Sequence, residues 1–509
     1  VLSRGTPHKS AEAFREKMHP TLINVAEDWL VYRDNIGAYE LIDNKVMRSQ
    51  IQRFMIAAKC IVMVKDDDDN VQEQVVPFNP KKNDVTEVYE ALFNACLKPL
   101  ADFKPPCWLT NEYTLDPRNI IACRNGLLDV TTRELYSHTA DFFTRSALPV
   151  EYNADAPAPV QFLKFLGEIT DNRQSLIDLI QEMIGYYLSA DTEQEVVFYL
   201  LGKSRGGKGT LMKIIAALIG ERNLAAPTIR SFASQYWAWG LMDKSLAMVT
   251  DMAISDREAI KLAANHINMI SGRDPADVER KFKEPIMALT LPTRVLMAGN
   301  HLPDFGDHAG ALMNRLLVIP FDVSFKGRED RALARRMIAD ELSSILTWAL
   351  EGLARLRERG NFCEPVESKR VKRDLMGLAN PVATFIEEKC LVGPEHHVRK
   401  DVLYAHYKDW ASTVGVHPLA LKDFAQRLYS GFPGIKEVRP RDGEKRIPAF
   451  GGVTVNPDAD DRVTTVPSFD FEFELMSRIE LEGMTPADAL AATCEAQAEF
   501  GRGVDSEDL

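Results

Sequence analysis

The spacing of apolar residues along this chain changes period several times, and each change marks an element. It is sharpest between residues 195 and 220. Val196–Leu201 is an unbroken apolar run, the pattern of a buried strand, and Leu211, Ile214, Ile215 and Leu218 then recur at helical spacing. The glycine-rich turn Gly202–Gly207 joins them, so the stretch reads strand, loop, helix. Further apolar runs at Ser245–Asp251, Arg294–Asn300 and Leu316–Phe321 continue the alternation. From about 196 to 321 this is the pattern of an α/β sheet with helices on its faces.

The flanks have other textures. Residues 1–105 read as mixed α+β. Glu12–Lys17 and Met47–Val64 have helical spacing, Trp29–Tyr32 and Gly37–Ile42 are extended, and Asp84-Val-Thr-Glu87 opens a helix over Val85–Leu97. The run Asp66–Asp69 interrupts them as a solvated loop. Residues 106–190 begin with short strands, with Asn125-Gly126 as a hairpin turn, and pass through the linker Asn153–Pro159 into helices over Val160–Glu168 and Asp171–Leu188. The sheet region, 191–365, closes with a helical stretch over Glu329–Arg357. In 366–453 a helix through Lys389 precedes helices near Arg399–Val414 and Leu419–Leu428, and then a basic hairpin over Ile435–Phe450 that turns at Asp442-Gly443. Helix, helix, hairpin is the order of a winged helix. Such a module binds nucleic acid or only proteins; for nucleic acid the candidate contacts are Lys422, Arg427, Arg439, Arg441, Lys445 and Arg446. Residues 454–509 form an acidic tail, with a helix opening at Thr485–Asp488.

With 509 residues and 45% hydrophobic content, the chain can build several cores. Its 18-residue windows are all interrupted by polar residues, and Val1-Leu-Ser-Arg-Gly-Thr6 lacks the form of a secretion signal, so a cytoplasmic protein without a membrane span is expected. A start at Val1 instead of Met points to a trimmed or processed product with domains missing upstream. The seven cysteines are scattered and never form a C-x-x-C pair, which fits buried thiols better than disulfides or zinc. A formal charge of −13 disfavours a nucleic-acid partner until it is divided: residues 457–509 carry fourteen acids and three arginines, which leaves −2 for everything before them. Local basic surface is then what matters.

The chemistry is concentrated in the sheet region. Gly202-x-x-x-x-Gly207-Lys208 has the spacing with which backbone N–H groups surround phosphate oxygens while a lysine reaches the β- and γ-phosphates; the alternative is a turn that merely starts a helix. The usual hydroxyl after the lysine is replaced by Gly209, and Thr210 supplies one a residue later. Gly-Lys-Gly-Thr resembles the phosphate loop of adenylate kinases, so a nucleotide kinase is one reading. In a P-loop fold the strand beside the loop ends in an acid for Mg²⁺, the place of Asp251, unless that residue only caps a turn. Asn300 ends the next strand, where an amide can orient water or contact the γ-phosphate. Arg315 precedes Leu316–Phe321, at an edge facing an adjacent subunit; the alternative is a surface salt bridge.

In this order the motifs resemble the superfamily 3 helicase portion of phage and plasmid primase-helicases, a group that includes the poxvirus primase-helicase. The resemblance runs from about 80 to 450. It includes Ile270-Ser-Gly-Arg-Asp-Pro-Ala-Asp-Val-Glu-Arg-Lys-Phe-Lys-Glu-Pro285 and Pro292-Thr-Arg-Val-Leu-Met-Ala-Gly-Asn-His-Leu-Pro303. It implies an AAA+-like motor and an ATP-dependent DNA helicase of a phage or mobile element. Lys208 would be the phosphate lysine, Asp251 the metal acid, Asn300 the sensor and Arg315 the arginine finger. Gly202 and Arg205–Thr210 would surround ATP, Thr210 and Asp251 would hold Mg²⁺, and Arg280, Lys281 and Lys283 would grip DNA in the pore of a homo-oligomeric ring, a hexamer. A primase or polymerase partner is also implied. Met252 stands where related motors carry a second acid, so Asp256 or Glu258 would have to activate water. The remaining alternative is a DNA-binding initiator whose ATP site is regulatory.

Overall fold

The computed structural model describes residues 1–2, 5–65, 71–99, 103–250, 256–281, 283–301, 309–379, 381–414, 417–442 and 445–457. Two compact units divide between residues 379 and 380. The first is built on a five-stranded parallel sheet in the order Leu224–Ala225, Leu246–Val249, Arg294–Gly299, Val197–Gly202, Leu316–Phe321. Side chains alternate across a strand, and both faces of this sheet are covered. Phe198, Leu200, Leu296 and Ile319 face helices Val160–Thr170, Gln174–Leu188, Lys208–Ile219 and Leu333–Arg359. Val197, Tyr199, Val295 and Val318 share the other core with helix Arg257–Ser271. The apolar runs are continuous because neither face meets water.

The sheet order departs from one expectation. The strand leading to Asp251 is not beside the loop strand; Arg294–Gly299 lies between them, bonded to both. Chain order does not fix strand order, because parallel strands joined by long crossovers can be inserted between earlier ones.

The N-terminal part packs helices Pro7–Met18, Asn44–Ala57 and Lys82–Cys96 around Phe14, Trp29, Met47, Ile51 and Leu92. Helical spacing expected through Val64 ends at Ala57, and Lys59–Lys65 is instead a strand paired antiparallel with Val71–Pro77. The β-branched residues of Cys60-Ile-Val-Met-Val64 favour that pairing. The aspartates 66–69 lie outside the described residues. In the next module Cys123 pairs with Gly126, so the two turn residues are Arg124 and Asn125, one position earlier than Asn125-Gly126. The Asn125 side chain fixes this register by exchanging hydrogen bonds with the Tyr152 backbone in both directions.

In the second unit, helix Pro381–Lys389, strand Cys390–Arg399, helices Lys400–Thr413 and Leu421–Gly431, and strands Lys436–Val438 and Ala449–Val455 enclose Phe385, Tyr407, Phe424 and Phe450. The strand Cys390–Arg399 lies in a segment to which the sequence pattern assigned no element. Its pairing with Ala449–Val455 shifts register partway along. Helix Val366–Ala379 stays with the first unit. No helix among the described residues is long and apolar enough to cross a membrane.

Candidate functional site

The loop from Gly202 to Lys208 is built from beneath. Gly207 sits at φ 95°, and a Cβ there would lie 2.5 Å from Ile169 Cγ2, so helix Val160–Thr170 seats the loop directly and leaves room only for glycine. Helix Lys208–Ile219 then starts, and its first internal bonds run from the Thr210 and Leu211 N–H groups to the Gly207 carbonyl. The N–H groups of Gly207, Lys208 and Gly209 therefore stand outside the helical ladder, at the positive end of the helix. At Gly209 an added Cβ would meet nothing within 4 Å, so the space that a hydroxyl side chain would fill after the lysine is open. At the loop tip the Arg205 carbonyl accepts from the Phe325 N–H, and its guanidinium lies 3.6 Å from Glu329.

Lys208 is held by three oxygens. Its Nζ donates to the carbonyls of Gly202 at 2.6 Å and Lys203 at 2.8 Å, and to Asn300 Oδ1 at 3.1 Å. Three N–H donors thus meet three acceptors. Burial pulls the ammonium below the ordinary lysine range. The pairing of Leu201 with Gly299 brings Asn300 to the loop, so the fold joins two site residues separated by 92 positions.

Sequence reasoning missed what fixes this asparagine. Tyr199 is fully buried in the loop strand, and its hydroxyl crosses under Gly299 to donate to the His301 carbonyl at 2.6 Å. A Cβ on Gly299 would lie 2.5 Å from that hydroxyl. Burial pushes the phenol well above its usual range, so it stays a protonated donor. The available signal was a lone tyrosine in an otherwise aliphatic and phenylalanine strand, since a buried phenol requires a partner.

The remaining predicted residues are not brought to the loop. Asp251 lies outside the described residues; the strand before it, Leu246–Val249, runs parallel to the loop strand two places away. Thr210 is half-buried in the first turn of the loop helix. Arg315 precedes the strand whose Leu316 pairs with Val197 and whose Phe321 pairs with Gly202, so it sits at the far edge of the sheet from the loop. Its guanidinium donates to the Asn268 carbonyl at 2.8 Å and lies 3.9 Å from Glu195. Arg280, Lys281 and Lys283 lie at the end of an antiparallel hairpin of Ala276–Val278 and Ile286–Leu289. Arg280 is buried and donates to the carbonyls of Glu284 and Ala26, while Lys283 pairs at 2.6 Å with the buried Asp28. Lys281 is exposed. The hairpin tip therefore rests on the turn Ala26-Glu27, where both residues have positive φ.

A glycine-rich loop between a strand and a helix of a parallel sheet, with an amide from the adjacent strand on the loop lysine, defines an α/β core with a candidate site at its strand ends. Comparison with known proteins narrows the class. A D5 N-terminal-like family model matches residues 12–171, a family of unknown function matches 200–315, and a poxvirus D5 protein-like model matches 379–440. The 121R protein of Invertebrate iridescent virus 3, named as a candidate helicase, is 19% identical over 327 residues. That match takes in 57% of this chain and 34% of 121R, so the chain spans about a third of the length of this relative. Two apo structures of the NrS-1 C-terminal region each cover 88% of the chain at 11% identity. The matches take in 99% and 100% of those chains, with TM-scores of 0.47 and 0.48. Over residues 12–171 and 379–440 the chain is thus similar to D5-type proteins, and over 327 residues to a protein named as a helicase.

Proposed function

We propose that the chain is the motor part of a ring-forming, ATP-dependent DNA helicase acting in the replication of a phage or mobile element, with an AAA+-like core and a winged-helix-like module in its second unit. The observation that carries this is the Lys208 ammonium shared between the loop carbonyls and Asn300. A lysine held at a strand end by oxygens of two adjacent strands is poised to exchange them for phosphate oxygens, while the asparagine stays at hand to orient the attacking water.

The free N–H groups at the helix start and the open space at Gly209 fit a triphosphate and its hydrated metal. Gly202, Arg205, Gly206, Gly207 and Gly209 would surround the phosphates, and Thr210 and Asp251 would hold Mg²⁺. Mg²⁺-bound ATP supplies the anhydride bond and a counter-charge; Lys208 neutralises charge on the phosphates, and Asn300 positions water. Arg315 belongs to another subunit's site. The strand Leu316–Phe321 separates it from its own loop by roughly 20 Å, so it completes a neighbouring site and makes the active form an oligomer, a hexamer by the family resemblance. The order helix, strand, helix, helix, strand, strand in the second unit supports the winged-helix reading. A primase or polymerase partner and the host cytoplasm as the site of action go with the same proposal.

Complementation tests it. Lys208→Ala and Arg315→Ala should each abolish DNA-stimulated ATP hydrolysis and strand displacement. Mixed in equal amounts before assembly, they should restore about a quarter of the sites, those pairing an intact loop with an intact arginine. A Lys208→Ala protein that still unwinds a fork sinks the motor proposal; mixtures that stay inactive sink the action of Arg315 across subunits.

A further inference from the structure

A groove of about 990 Å³ opens between the segments around Arg124 and Ala147–Pro149, the C-terminal half of the loop helix and the start of helix Leu333–Arg359. Five cations line it, Arg124, Lys213, Arg222, Arg331 and Arg335, against one carboxylate, Glu221. Arg222 lies 3.7 Å from Glu40, and Arg124 lies 3.9 Å from Glu151. Lys213, Arg331 and Arg335 are exposed, and among the described residues none of the three is ion-paired.

Their placement is costly without a ligand. Arg335 occupies the first turn of a 27-residue helix with no acid in that turn, where the helix end is itself positive and a cation is disfavoured. Arg331 stands two residues before that helix, in the turn that leads into it, where its charge acts on the exposed Glu329 without a close ion pair. In a chain that carries 74 acids and 61 bases, five cations about one carboxylate are a local reversal of charge. Among the described residues no aromatic ring lines the groove, which removes base stacking as a means of recognition.

We infer that this groove holds the phosphodiester backbone of DNA independently of sequence, as a contact additional to the Ala276–Leu289 hairpin. The inference rests on the DNA-motor reading and gives that motor a second hold on its track. Lys213, the groove residue of the loop helix nearest the loop, lies five residues and roughly 8 Å along the helix axis from Lys208, which does not line the groove, so the two sites can be perturbed one at a time.

The test measures equilibrium DNA binding without nucleotide, by fluorescence anisotropy on duplex and single-stranded oligonucleotides from 50 to 200 mM salt. Wild type is compared with the triple variant Lys213→Ala, Arg331→Ala, Arg335→Ala, and DNA-independent ATP hydrolysis reports that the variant is folded. Losing three phosphate contacts should flatten the salt dependence, so over this range wild type should lose about 40-fold more affinity than the variant on duplex, or about 20-fold more on a single strand. The larger effect identifies which form of DNA the groove holds. Equal slopes and affinities for the two proteins overturn the groove while leaving the motor reading to the Lys208→Ala assay. The groove is also overturned if DNA affinity is equal in both but a synthetic peptide of residues 457–509 binds wild type and not the variant, since the occupant would then be an acidic segment.

Discussion

Gly299 and Tyr199 should behave as one device. An alanine Cβ at 299 would lie 2.5 Å from the Tyr199 hydroxyl but 3.4 Å from the ring carbon that bears it, an ordinary contact. Gly299→Ala must therefore push the hydroxyl by nearly 1 Å, on the order of the gap between this approach and van der Waals contact, and with it the 2.6 Å bond to His301. Overpacking and a strained buried hydroxyl together cost about 2–3 kcal/mol. Tyr199→Phe alone forfeits one hydrogen bond, about 1 kcal/mol, because the His301 carbonyl lies in an exposed residue and can turn to water. In the double variant the closest atom is gone and the His301 carbonyl, 3.2 Å from the added Cβ, is no longer tied to the phenol and can shift. The total should therefore be about 1–2 kcal/mol where additivity demands about 3–4. Urea unfolding of the four proteins, together with nucleotide affinity as a readout of Asn300, gives the cycle. Additive stabilities, or a Gly299→Ala protein as stable as wild type, would refute the packing reasoning.

Three further outcomes follow from the geometry. Glu182 is 2% exposed and receives hydrogen bonds from Arg355 and Arg359 on the long helix, so Glu182→Ala should cost about 2 kcal/mol, at the low side for a broken buried pair because solvent reaches both guanidiniums; an unchanged urea midpoint contradicts this. Asp28→Ala removes the carboxylate that anchors Lys283, so amide hydrogen exchange over 279–285 should speed up severalfold while that of the Val197–Gly202 strand is unchanged, and equal rates at 279–285 would show that the tip is held by other contacts. Burial pushes the Cys123 thiol up to about 12 from 9.0, so its neutral form is the one the fold favours. Stability from this group is whole below pH 9 and falls as pH rises toward 12, and alkylation of the native protein at pH 8 should modify exposed Cys363 well before Cys123. Equal labelling rates at the two would show that the core opens.

The sequence by itself determined the strands and helices of the parallel sheet and the place of its glycine-rich loop. Buried strands between amphipathic helices are written as runs and periods, and Gly202–Thr210 carries its chemistry in local backbone geometry. The similarity to D5-type proteins was legible from the order of motifs along the chain, although the matching D5 models fall to either side of them, on residues 12–171 and 379–440. Local pattern misled where pairing decided the outcome: Lys59–Lys65 became a strand because its partner across the sheet satisfied its backbone groups. Only tertiary structure decided that the Asn300 strand lies between the loop strand and the acid strand, and that Lys208 and Asn300 touch. It alone showed Tyr199 setting the Asn300 turn, Arg280 and Lys283 bound to an N-terminal turn, and five scattered cations lining one groove. The physical reason is range. Periodicity and turn chemistry act over a few residues, whereas strand order, charge convergence and the partner of a buried hydroxyl depend on which distant segments fill the same space.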